Sequence, residues 1–158
     1  MRVYLAALMI VVSSLALQGQ SARAAEPSAA GLWQQVDKAT GKPDAWFLVT
    51  EHDGLYDATL VKLFSKPGGR PNPLCTQCSG DEKNAPWLGL TVVKGMARDG
   101  LDYESGTVLD PRDGSQYYGQ MQLSPDGQAL TVRGDLGIDP LGGNETWRRL
   151  PRSALQCA

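Results

Sequence analysis

Four Asp-Gly pairs punctuate this chain, at Asp53-Gly54, Asp99-Gly100, Asp113-Gly114 and Asp126-Gly127, and each is flanked by runs rich in Val, Leu, Thr, Tyr and Trp. Asp-Gly supplies the positive φ that tight hairpins need, and Ser124-Pro125-Asp126-Gly127 adds a proline that presets the first φ of its turn. Between the turns the residues alternate as half-buried strands do. Tyr117, Met121 and Leu123 share one face while Tyr118, Gln120 and Gln122 share the other, and Leu130 and Val132 alternate with Thr131 and Arg133. Strands are expected near 31–37, 45–51, 55–64, 88–96, 101–109, 115–123, 128–134 and 144–150, and no segment sustains a helical period. The expected class is therefore all-β: an antiparallel up-and-down meander of about eight strands that removes its sheet edges by closing into a small barrel, with an open sandwich as the alternative.

The first residues read differently. A basic Arg2 precedes an uncharged apolar run from Val3 to Leu17, and Ala22-Arg23-Ala24 matches a small-x-small cleavage pattern. The run is shorter than the roughly 20 residues a membrane-spanning helix needs, and Gln18, Gln20 and Ser21 follow it, so residues 1–24 are expected to be a secretory signal cleaved before Ala25. Residues 25–158 then form a single barrel domain without an integral membrane span, in the periplasm or secreted beyond it. Cleavage removes Arg2 and Arg23 from 15 basic residues and leaves all 17 acidic ones, so the net charge moves from −2 to −4. A mildly acidic chain with no basic cluster carries no electrostatic footprint for nucleic acid or anionic lipid.

Gly31-Leu32-Trp33 opens the first expected strand and Thr146-Trp147-Arg148-Arg149 closes the last. That arrangement resembles the lipocalin and wider calycin pattern, which implies Trp33 packed against Arg148 or Arg149 in a cation–π contact plugging one barrel end. An ordinary buried tryptophan is the simpler alternative. Taken end to end, the chain resembles the bacterial exported family catalogued as a domain of unknown function, DUF2147. The likeness rests on Gly31-Leu32-Trp33, Asp37 through Gly41-Lys42, Leu55-Tyr56, Val61-Lys62-Leu63-Phe64, Cys75-x-x-Cys78, and Leu88-Gly89-Leu90. It continues through Gly106 to Pro111, Leu123 to Gly127, Val132-Arg133-Gly134, Gly137-Ile138 and Thr146-Trp147. The resemblance implies an exported calycin-like barrel and supplies no activity. A 65–87 segment rich in Pro and Gly and a terminal Cys157 depart from the family pattern.

Candidates for chemistry are few. The single histidine, His52, falls in a Glu51-His52-Asp53-Gly54 turn where polar residues are ordinary, and no Gly-x-Ser-x-Gly motif accompanies it. No spacing among the carboxylates singles out a catalytic pair, so no catalytic residue and no cofactor is assigned. Cys75 and Cys78 lack the further ligands of a zinc site and the α/β setting of a thioredoxin-like centre, and a local disulfide formed in an oxidising compartment is the favoured reading. Cys157 is then the odd thiol, available to join two copies as a homodimer. Pro67-Gly68-Gly69-Arg70-Pro71-Asn72-Pro73 excludes helix and central strand, so 65–87 is a long connection suited to a lid.

The expected function is non-catalytic binding of a small apolar or amphipathic ligand, because a closed eight-stranded barrel can hold one small molecule. Trp46, Tyr56, Trp87, Tyr103 and Met121 are the candidate lining, with simple core as their alternative role. A cell-envelope protein–protein interaction module is the second reading, and a redox or metal protein centred on Cys75 and Cys78 the third. A hollow interior favours the first, a filled one the second.

Overall fold

The computed structural model of the chain describes residues 26–64, 68–135 and 144–157. The leader-like residues 1–24 and the cleavage position before Ala25 lie outside the described residues, as does Gly137-Ile138. Eight antiparallel strands run β1 (Gly31–Val36), β2 (Pro43–His52), β3 (Leu55–Leu63), β4 (Thr91–Asp99), β5 (Asp102–Leu109), β6 (Gln116–Leu123), β7 (Ala129–Asp135) and β8 (Glu145–Leu150). Each pairs with its sequence neighbour, and β8 returns to β1, so the sheet is a closed up-and-down barrel. No described helix is long and apolar enough to cross a membrane.

All four Asp-Gly pairs lie at strand reversals. In the β2–β3 hairpin both Asp53 (φ 51) and Gly54 (φ 78) take the positive φ of a two-residue turn. In the Ser124 turn, the hydroxyl accepts from the backbone N–H groups of Gln128 and Ala129. β4 differs from expectation: the ladder with β5 runs to Asp99↔Asp102, three residues past the expected end. Leu90 and Gly89 meanwhile join Leu60 of β3 through backbone hydrogen bonds outside the strand proper. Within β4, Gly95 (φ 70) lies at a break in the β3–β4 register between Tyr56↔Met96 and Ala58↔Val93.

One end of the barrel is closed by a plug. Trp33 is fully buried, and its indole N–H donates to the Ala29 carbonyl at 2.8 Å. The Arg149 guanidinium lies 4.2 Å from the Trp33 ring centroid and donates to the carbonyls of Gly127, Ala30 and Ser28. Three charge-assisted hydrogen bonds to carbonyls, with an aromatic face beneath, are what a planar guanidinium can satisfy and an ammonium cannot. Burial pushes the Arg149 guanidinium below its usual pKa. Glycine is required at position 31, where φ is 146 and an added Cβ would stand 2.6 Å from Arg149 Nη1. Arg148, the other candidate partner, is exposed.

The N-terminal segment crosses under this plug. The Tyr103 hydroxyl accepts from the Ala29 N–H, and Arg98 donates to the Pro27 carbonyl. Above it, Val49, Tyr56, Met96, Tyr103, Met121, Leu123 and Leu130 fill the lower half of the barrel. Gly106 and Gly119 make room for Met96: a Cβ at Gly106 would lie 2.7 Å from its sulfur and 2.4 Å from the Lys94 carbonyl.

Candidate functional site

At the opposite end the interior is not filled. A cavity of about 280 Å³ occupies the upper half of the barrel and opens at the mouth. Its walls are apolar: Ala45 and Phe47 from β2, Leu60 and Leu63 from β3, Val92 and Val93 from β4, Val108 and Leu109 from β5, Tyr117 from β6, Val132 from β7 and Trp147 from β8. On β2, β6 and β8 the lining residues Ala45, Phe47, Tyr117 and Trp147 keep the inward phase of Val49, Met121 and Arg149, nearer the mouth. Phe47 and Trp147 stack face to face, with centroids 4.1 Å apart and an interplanar angle of 4°. Ala45 is a small residue on the wall, while the room beside Gly134 is taken by Tyr117, whose Cβ would lie 2.9 Å from a Cβ there.

The rim is polar, formed by Gln35, Asp44, Asp110, Arg112 and Glu145. Arg112 is committed to Asp110, with Nε 2.9 Å from Oδ1 and Nη2 2.5 Å from Oδ2. Burial works to raise the Asp110 pKa, but the hydrogen bonds from Arg112 outweigh it and hold the carboxyl below its usual range. Glu145 accepts from Gln35 at 3.0 Å and pairs with Lys38 at 3.3 Å. Two lining residues also carry buried indole nitrogens that stay unpaired. Among the described residues, the buried side-chain nitrogens without a hydrogen-bond partner are Trp87 Nε1 and Trp147 Nε1.

The β3–β4 connection brings Trp87 to this wall. Leu74 and Pro86 form an antiparallel bridge, the Cys75 N–H donates to Ala85, and the Trp87 N–H donates to Pro73. Cys75 and Cys78 are joined in a disulfide, both are buried, and Gln77 packs on Gly114 of the β5–β6 turn at the mouth. Closing so short a loop stabilises by about 2 kcal/mol in the chain-entropy model. Reduction is therefore expected to raise hydrogen exchange and proteolytic cleavage within 68–90 while the β-sheet circular dichroism persists. Cooperative loss of the sheet on reduction, or unchanged exchange in 68–90, would contradict this. The Cys157 side chain lies outside the described residues.

Of the five residues expected to line a cavity, the structure brings only Trp87 to it. Trp46 points outward, where Gln34 accepts its indole hydrogen bond and Lys62 sits 4.5 Å over its ring. Tyr56 and Tyr103 pack edge to face near the plug, with centroids 4.8 Å apart, and Met121 lies in the filled lower half. Trp46 is misplaced because Ala45 to Val49 is apolar throughout, which hides the strand phase. Trp147 was recoverable: if Arg149 points inward to Trp33, the residue two before it does too. His52 is at the far end of the barrel, exposed and 3.6 Å from Asp57.

The family model described as "Uncharacterized protein conserved in bacteria (DUF2147)" matches residues 31–149. The chain belongs to this family. The matched DUF2147 span runs from Gly31, two residues before Trp33, to Arg149 itself, so it begins and ends on the barrel plug. A similar solved structure is protein HP1028 from the human pathogen Helicobacter pylori, described as belonging to the lipocalin family. It is 18% identical with a TM-score of 0.64, covering 83% of this chain and 88% of that one, which establishes a shared barrel fold. No curated protein sequence matches the chain.

Proposed function

We propose that this DUF2147 protein is an exported, non-catalytic binding protein that holds a small apolar or amphipathic molecule in the upper half of its barrel. The observation that carries the reading is the cavity itself, with aliphatic and aromatic walls, a polar rim and a volume of about 280 Å³, just below the roughly 300–1,000 Å³ typical of ligand sites. That size suits one small ligand or a single short chain. The likeness to a lipocalin-family barrel supports it, since closed eight-stranded barrels often enclose one small molecule. Export to the periplasm rests on the leader-like residues 1–24 and is supported by the Cys75–Cys78 disulfide, a bond that persists in oxidising compartments.

Titration of residues 25–158 with the neutral fluorescent probe N-phenylnaphthylamine is expected to give saturable one-to-one binding. Emission that rises only linearly with probe would overturn the reading and leave an envelope interaction module in its place.

A further inference from the structure

The part of the cavity wall that Trp87 contributes is built differently from the strands around it. Residues 73–87 hold one another: Leu74 and Pro86 form a bridge, the Cys75 N–H donates to the Ala85 carbonyl, the Asn84 N–H donates to the Cys75 carbonyl, and the Trp87 N–H donates to the Pro73 carbonyl. The Cys75–Cys78 disulfide ties off the tip of this unit. It is stiff within itself, and the chain leaves it at Gly89 (φ 91), whose N–H donates to the Leu60 carbonyl of β3.

Its seat on the barrel is slighter. Cys75 Sγ lies 3.3 Å from the Pro111 carbonyl oxygen, and the Gln77–Cys78 backbone rests on Gly114, where an added Cβ would stand 2.5 Å from the Gln77 carbonyl carbon and 2.8 Å from the Cys78 nitrogen. A disulfide sulfur has no proton to donate, so these are packing contacts of the tip on the β5–β6 turn. Glu82 pairs with Lys94 of β4, but the lysine side chain is 47% exposed, and ion pairs so placed contribute little. Pro111 and Trp87 both line the cavity, so the seat and the seated unit meet on its wall. An element that is stiff internally and lightly held opens as one body.

We propose that residues 73–87 are a gate to the cavity: seated on the β5–β6 turn they narrow the mouth, and ligand enters and leaves when the unit lifts off Gly114. The gate rests on the barrel binding a ligand, as proposed above. Stopped-flow mixing with N-phenylnaphthylamine tests it on residues 25–158 of the parent, of Gly114→Ala, of the double variant Cys75→Ala with Cys78→Ala, and of Gly41→Ala. Gly114→Ala pushes the unit off its seat, and the double variant loosens the tip should Gly114→Ala lose its melting transition. Gly41, in the β1–β2 turn, has a similar φ (67 against 75) but open space where a Cβ would stand, so Gly41→Ala imposes comparable backbone strain without touching the gate.

Both loosened proteins are expected to take up and release the probe about tenfold faster than the parent, with Gly41→Ala at parent rates. Faster association is the deciding readout, because weakening a static wall speeds release alone. Association at the parent rate in a folded Gly114→Ala or double-variant protein would overturn the gate, as would equal acceleration by Gly41→Ala; saturable binding in either case leaves the binding proposal standing. Absence of saturable probe binding in all four proteins would overturn both.

Discussion

Trp33→Ala is expected to lower the melting temperature by roughly 10–20 °C, the consequence of losing about 3–5 kcal/mol from a large buried aromatic in a domain of this size. The loss has more than one source. Truncation opens a void in the floor of the barrel, removes the hydrogen bond to the Ala29 carbonyl, and strips the face on which Arg149 lies at 4.2 Å. The guanidinium would still be anchored to the carbonyls of Gly127, Ala30 and Ser28, but its apolar support would be gone. Arg149→Lys is expected to cost less, about 1–3 kcal/mol, because an ammonium cannot reproduce the three-way fork. Arg148→Ala, at an exposed position, should leave the transition within about 0.5 kcal/mol of the parent. Thermal unfolding followed by circular dichroism separates the three, and a Trp33→Ala transition at the parent temperature would contradict the plug.

Ala45→Trp is expected to weaken N-phenylnaphthylamine binding by at least about tenfold, with the melting transition retained. Ala45 lies on the cavity wall near the mouth, where it pairs with Leu63, so an indole placed there grows into open space. Met121→Trp provides the contrast. Met121 is 2% exposed in the filled half, beside Val132 in the β6–β7 ladder, so the added bulk should overpack the core and cost about 1–3 kcal/mol. Fluorescence titration beside a thermal melt distinguishes the two variants. Undiminished binding by a folded Ala45→Trp protein would place the probe outside the cavity.

The four Asp-Gly pairs made the meander legible, because their turn chemistry is local and each pair lies at a reversal of the chain. Trp33 and its arginine were legible as a pair, although the choice of Arg149 over Arg148 needed the phase of β8 relative to β1. The cavity was much less so. Whether a barrel is hollow depends on how side chains from all strands meet across the interior, and Met96 filling the space above Gly119 and Gly106 involves three strands. Trp46 and Phe47 are adjacent aromatics in an apolar run, and only the ladder shows that Phe47 faces in. Trp87 was found for a different reason, since it ends the Pro/Gly-rich connection expected near the mouth.

The central claim is that ligand enters the upper half of the barrel, and the chain carries its own reporters in Trp33, Trp46, Trp87 and Trp147. Their indole N–H resonances in a nitrogen-15 correlation spectrum, recorded during titration with N-phenylnaphthylamine, test it most directly. The account predicts saturable shifts of the Trp87 and Trp147 signals. Trp33, bonded to Ala29, and Trp46, bonded to Gln34 on the outer face, should stay in place. Shifts confined to Trp46, or no saturable shift at Trp87 and Trp147 when the probe is bound, would contradict it.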